Sequence, residues 1–172
     1  MKTRGSLCFH ASLVWELATG RKRETRRVVK PHHYEGETPH CPFEIGEELF
    51  VKESFRLERV KNDLFVVYAD DSRYYLGAYW RGWERYIKNN LIPSFYMPRE
   101  ISRLWLRVLD CRLERLQELD EAGARKEGFE GLSEFIKFWN HIHPQKPYRW
   151  ESNPLVWVLE LKVSWWKGEP DG

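Results

Sequence analysis

Apolar positions alternate with polar ones over several stretches of this chain and recur at helical spacing over three others. Leu7 to His10 reads as a short strand. Ala11 to Thr19 reads as a helix with Leu13, Val14 and Leu17 on one face, and Gly20 is placed to end it. Glu48 to Phe55 and Asp63 to Ala69 look like strands. Ile101 to Leu116 predicts a long strand, bent midway, with Leu104, Leu106 and Val108 on one face. Asp120 is placed to cap a short helix that Gly128 closes. A further helix is predicted from about Ser133 to Ile142, with Phe135, Ile136, Trp139 and Ile142 at helical spacing. After Pro154 a last strand sets Leu159, Leu161, Val163 and Trp165 against Glu160, Lys162 and Ser164. Pro31, Gly36, Pro39 and Pro42 mark the stretch from Val29 to Phe43 as loop. Tyr74 to Asn90 is aromatic and charged, and is read as loop with a possible helix. The sum is a β-rich α+β domain, its strands expected to curl into a barrel flanked by short helices.

Composition narrows this picture only a little. At 172 residues the chain is read as one domain. Its net charge of +2 does not announce a dedicated nucleic-acid binder. Three cysteines, Cys8, Cys41 and Cys111, lie far apart. With no long apolar leader and no membrane-length run, they suggest a cytoplasmic protein without a disulfide framework. Nine tryptophans are read mainly as core.

The charge is uneven, and that changes the picture. Between Gly20 and Tyr34 stand six cations, Arg21, Lys22, Arg23, Arg26, Arg27 and Lys30, against the single acid Glu24. Like charges and burial disfavour the charged form of a lysine, and a neutral Lys22 could serve as base to the hydroxyl of Thr25. The same run could attract phosphate. It could equally be an exposed basic turn with Thr25 bonded to the backbone. Glu127 lies at the predicted C-terminal end of a helix, where the dipole disfavours a carboxylate. It is read either as a functional residue or as a solvated glutamate. His32, His33, His40 and Cys41 fit no zinc spacing, so neither metal nor other cofactor is expected.

Four blocks carry a family resemblance. LCFHASLVWELATGRKRETRR, from Leu7 to Arg27, resembles the opening of ASCH domains, the activating signal cointegrator homology family of the PUA-like superfamily. GEELFV from Gly46, LDEAGARKEG from Leu119 and VWVLELK from Val156 resemble later blocks of that family, in order. TRRVVKP with the later CPF, GEEL and MPR is similar to ASCH proteins of phages and prophages.

The resemblance implies a PUA-like β-barrel around a central cleft. It also implies, by likeness to bacterial members that deacylate 4-acetylcytidine, a metal-independent amidohydrolase acting on acylated nucleosides or nucleobases. Matched residue by residue, the catalytic set falls on Lys22, Thr25 and Glu127. Phe9, Arg21, Arg26 and Arg27 are expected to contact substrate. An RNA or modified-base reader with weak RNA binding is the alternative, and a ribonuclease a third. The stretch from about Glu58 to Pro98 exceeds the shortest relatives. Its aromatics Tyr74, Tyr75, Tyr79, Trp80, Trp83 and Tyr86 are expected to cover the cleft.

Overall fold

The structure is a computed structural model that describes residues 5–78, 84–87 and 90–168. These described residues form ten strands: β1 (Ser6–Cys8), β2 (Glu24–Val28), β3 (Tyr34–Glu35), β4 (Thr38–Pro39), β5 (Glu48–Lys52), β6 (Phe55–Val60), β7 (Asp63–Tyr68), β8 (Arg73–Ala78), β9 (Leu104–Arg115) and β10 (Leu155–Trp166). Three α-helices accompany them: α1 (Ala11–Ala18), α2 (Glu121–Lys126) and α3 (Leu132–Ile142).

A five-stranded sheet runs in the order β1-β5-β9-β10-β2. It is antiparallel except for the parallel pair β1 and β5. Strands β6, β7 and β8 form a separate antiparallel meander, and β3 and β4 a two-stranded ribbon. The fold is thus mixed α+β and sheet-rich, with few helices. The expected closure into a barrel is not found among the described residues. β1 and β2 remain the two edges of the sheet and pair with each other nowhere.

Three apolar cores follow from this arrangement. α1 lays Val14 and Leu17 over Leu49, Leu106, Val108 and Leu161 of the sheet. α2 and α3 cover the other end, where Ala124, Phe135 and Trp139 meet Val28, Val156 and Val158. The meander has its own core of Phe55, Leu57, Leu64, Val66, Tyr68, Tyr74, Met97 and Ile101. Each fully buried large apolar side chain contributes about 1.5–3 kcal/mol.

Several boundaries differ from those expected. The predicted strand from Glu48 to Phe55 is two strands, because the chain leaves the sheet at Glu53 and Ser54. Glu53 turns inward to a buried ion pair with Arg103 at 2.6 Å. The stretch read as loop from Tyr74 contains most of β8, whose Tyr74 is buried in the meander core. Along the β9–β10 ladder the register shifts twice, leaving Leu109 and Ser164 as extra residues. The first shift supplies the predicted mid-strand irregularity. The second reverses the alternation: Trp165 is exposed, while Trp166 packs against the sheet core. Cys41 and Cys111 form a disulfide, which overturns the expectation of none, and Cys8 is free. The two bridged cysteines are seventy residues apart, and only the fold makes them neighbours. Among the described residues no helix is long and apolar enough to cross a membrane.

Candidate active site

The basic segment is built into the fold instead of exposed as a turn. Gly20 ends α1 with a φ of 77°, as a glycine tolerates. The chain then passes between two helices: Lys22 N–H donates to the Glu16 carbonyl (2.8 Å) and Arg23 N–H to the Lys126 carbonyl (2.8 Å). β2 follows as an edge strand on β10, with Thr25 opposite Leu159. Asp120 caps α2 by accepting from Gly123 N–H (2.7 Å), and α2 ends at Glu127. The next residue, Gly128, has a φ of 93°, and a Cβ there would lie 3.1 Å from that of Lys22. A side chain at 128 would therefore push on Lys22 directly.

Lys22 and Glu127, 105 positions apart, meet in the interior. Lys22 is 2% exposed and Glu127 3%. Lys22 Nζ donates to Glu127 Oε2 (2.5 Å), to the Glu127 carbonyl (2.9 Å) and to the Glu24 carbonyl (2.8 Å). It thus pairs with the carboxylate and also caps the carbonyl at the end of α2. All three donors of an ammonium are committed. Burial pushes the Lys22 ammonium below its usual range. Glu127 works against that shift, and Arg27 and Arg26 add to it.

Arg26 is buried as well. Its Nη1 reaches Glu127 Oε1 (3.1 Å) and Glu24 Oε2 (3.4 Å), its Nη2 lies 3.5 Å from Glu114, and among the described residues its Nε has no partner. Glu24 is further held by Arg112 (3.1 Å) and Lys126 (3.7 Å). Burial alone would raise the Glu24 carboxyl, but Arg112, Arg26 and Lys126 together hold it below the usual range.

Thr25, 4% exposed, opens onto a cavity of about 580 Å³ whose wall also includes Lys22, Arg26, Arg27 and Glu127. Among the described residues its hydroxyl is not one of the three acceptors of Lys22. Arg27 donates to the Cys8 carbonyl (2.9 Å), and its Cζ stands 4.7 Å from the centre of the Phe9 ring. Lys22 Nζ lies 5.9 Å from the same ring. Phe9 is therefore a platform for two cations as well as part of the cavity wall.

Aromatic side chains from α3 and the loop before it line the same cavity. Phe129 packs on Phe138 (5.1 Å between ring centres), Phe135 stacks on Trp139 (5.8 Å), and His143 tilts on Trp139 (4.3 Å). A cavity lined by both cations and aromatic rings suits a flat, polar ring.

Of the residues expected from sequence, Lys22, Thr25, Glu127, Phe9, Arg26 and Arg27 come together at this cavity. Arg21 does not: it is exposed and pairs with Glu16 at 2.7 Å on the outer surface. The solvated glutamate and the exposed basic turn are both overturned by burial. The long stretch from Glu58 contributes Ala69, Leu91 and Ser94 to the cavity wall. Of its aromatics, Tyr74 is core, Tyr86 packs on Phe55 (5.9 Å) and Tyr75 is exposed. Tyr79, Trp80 and Trp83 lie outside the described residues.

Among the described residues no group of three or more His, Cys, Asp or Glu side chains is placed to hold a metal. His33 instead accepts from Lys30 N–H and Trp157 Nε1–H. Sequence reasoning missed Lys30, Phe138 and His143 as wall residues. The available signal was helical spacing: His143 falls four residues beyond Trp139, and Phe138 three beyond Phe135.

Comparison with known proteins adds a likeness of fold. No family model matches the sequence, and no curated protein matches it. The crystal structure of protein EF3133 from Enterococcus faecalis V583, described under the family model DUF984, superposes with a TM-score of 0.51. The match covers 100% of this chain and 88% of that one at 10% identity. At that identity the similarity is one of fold alone.

Proposed function

We propose that the chain is an ASCH-type amidohydrolase of PUA-like fold, and that its cavity cleaves the amide on the exocyclic nitrogen of an N4-acylated cytosine. The observation that carries this reading is the meeting of Lys22, Thr25 and Glu127, all buried, at one cavity that aromatic side chains also line. In the reaction, Thr25 Oγ attacks the acyl carbon and passes its proton to Lys22 Nζ. The tetrahedral oxyanion is held by backbone N–H groups or by Arg27. Its collapse breaks the C–N bond as the nitrogen takes a proton, releasing the amino base. Water then cleaves the threonine ester and leaves the carboxylic acid.

Lys22 can act as a base only when it is neutral and turned toward Thr25. Burial favours the neutral form. The short contact with Glu127 lets the pair share one proton as a unit. In the resting arrangement the contacts of Nζ run to Glu127 and two carbonyls, so substrate entry must swing it away from one of them.

One observation favours a second reading. A lysine with every donor satisfied is also what a non-catalytic reader of modified bases would use to shape its pocket. Incubation with N4-acetylcytidine separates the two: release of cytidine and acetate supports the hydrolase. Saturable binding of the intact compound without turnover supports the reader.

A further inference from the structure

Three groups on the cavity wall are unused by this chemistry or only partly used. Arg27 has five N–H donors, of which one goes to the Cys8 carbonyl, and among the described residues its Nε has no partner. Lys30 lies over the Tyr148 ring at 4.0 Å. Among the described residues neither cation forms an ion pair, whereas Arg26, Arg112 and Lys126 nearby all do. His143, at the end of α3, tilts against the Trp139 ring, and its ring nitrogens have no hydrogen-bond partner among the described residues. All three line the same cavity.

They also lie near one another, since the charges of Lys30 and Arg27 both act on His143. Arg27 is two residues beyond Thr25 on β2, about 7 Å along the strand, and Lys30 continues in that direction. The field there is strong enough to act on a neighbour. Burial, Lys30 and Arg27 together push the His143 imidazole down to about 4, so at neutral pH it is an uncharged donor and acceptor. Two unpaired cations and a neutral imidazole beside a partly buried space are the partners that phosphate oxygens take.

We propose that Arg27, Lys30 and His143 form a phosphate subsite, so that the ligand of this cavity is a phosphorylated nucleoside. The inference rests on the hydrolase or reader reading only for the nature of the base; the subsite stands on the three side chains. The phosphate is either the monoester of a mononucleotide or a phosphodiester of RNA, two sources of the same chemistry.

Calorimetric titration of the full chain with cytidine, cytidine 5′-monophosphate and a short oligocytidylate lacking terminal phosphates tests it. The mononucleotide is expected to bind at least about tenfold more tightly than cytidine at low salt. That advantage should shrink to within about threefold in Lys30→Met and again in His143→Gln. Two variants are used so that one folding failure does not decide the matter. If the oligonucleotide matches the mononucleotide, the source is a phosphodiester; if it is weaker, a monoester. Equal binding of cytidine and its monophosphate, or an advantage untouched in both folded variants, overturns the subsite. Turnover of N4-acetylcytidine by the same preparation is scored separately. Turnover without a phosphate advantage removes the subsite alone. A phosphate advantage without turnover of acylated nucleoside or nucleotide removes the hydrolase alone.

Discussion

Arg103 and Lys22 are both buried cations facing a buried glutamate, but their surroundings differ. Arg103 grips Glu53 with two bonds (2.8 and 2.6 Å) and adds Asp70 (2.9 Å), Ser72 and, more distantly, Tyr74, while its guanidinium lies over the Tyr68 ring. The cluster joins the meander to the start of β9, and none of these residues lines the large cavity. Around Lys22, cations outnumber carboxylates, Arg26 Nε has no partner among the described residues, and Thr25 opens beside them onto the cavity. Buried polar groups are normally satisfied. A satisfied cluster works as a joint; one with spare donors at a cavity is arranged for something that has yet to arrive.

This contrast can be broken by mutation. Under the proposed chemistry, Thr25→Ala and Lys22→Ala should each lower deacylation of N4-acetylcytidine roughly a thousandfold, about 4 kcal/mol of barrier. The double variant should be little worse than either single one. Full activity in Thr25→Ala would rule out the threonine ester.

Arg103→Met should act on stability instead. It leaves Glu53 buried without its partner, at a cost of about 3–5 kcal/mol, or roughly 6–20 °C in Tm. Adding Glu53→Leu should recover much of that loss in thermal melts. If the single change is neutral, the joint is not what holds the meander.

A smaller effect separates the two regions by pH. His143 has a depressed pKa, so between about 6.5 and about 4 the unfolded chain binds a proton that the folded chain does not. Its contribution makes stability fall as pH drops through that window and leaves it level above. His143→Gln should flatten the dependence of Tm on pH there, and an unchanged slope would refute it. Smallest of all, Arg21→Ala should change stability by under about 1 kcal/mol by urea titration, because its pair with Glu16 is exposed.

Much of the site was legible because its signals are local. Gly20 and Gly128 mark helix ends through backbone geometry and Asp120 through its capping carboxylate, and the alternation of β9 and β10 marks the middle of the sheet. The pairing of Lys22 with Glu127 was legible only through resemblance, since no local pattern links residues 105 apart. What could not be read depends on contacts across the fold. Arg21 and Arg26 carry the same charge five residues apart, yet one faces water and the other three carboxylates. The chain path between α1 and α2 decides which. The strand break at Glu53 is set by Arg103, fifty positions on. The reversal at Trp165 follows from the one extra residue at Ser164, which periodicity cannot anticipate. β8 escaped because its aromatic and charged residues pair with β7, and that partner is invisible to a single-segment reading.

The bridge between Cys41 and Cys111 turns the chain between them into a covalent ring that contains the whole meander. A single peptide cut within that ring would release nothing. The pieces would migrate as one band until a reductant parted them. The same closure withholds from the unfolded chain about 4 kcal/mol of conformational freedom. The segment that walls the cavity at Ala69, Leu91 and Ser94 is thereby tethered to the sheet through sulfur as well as through packing.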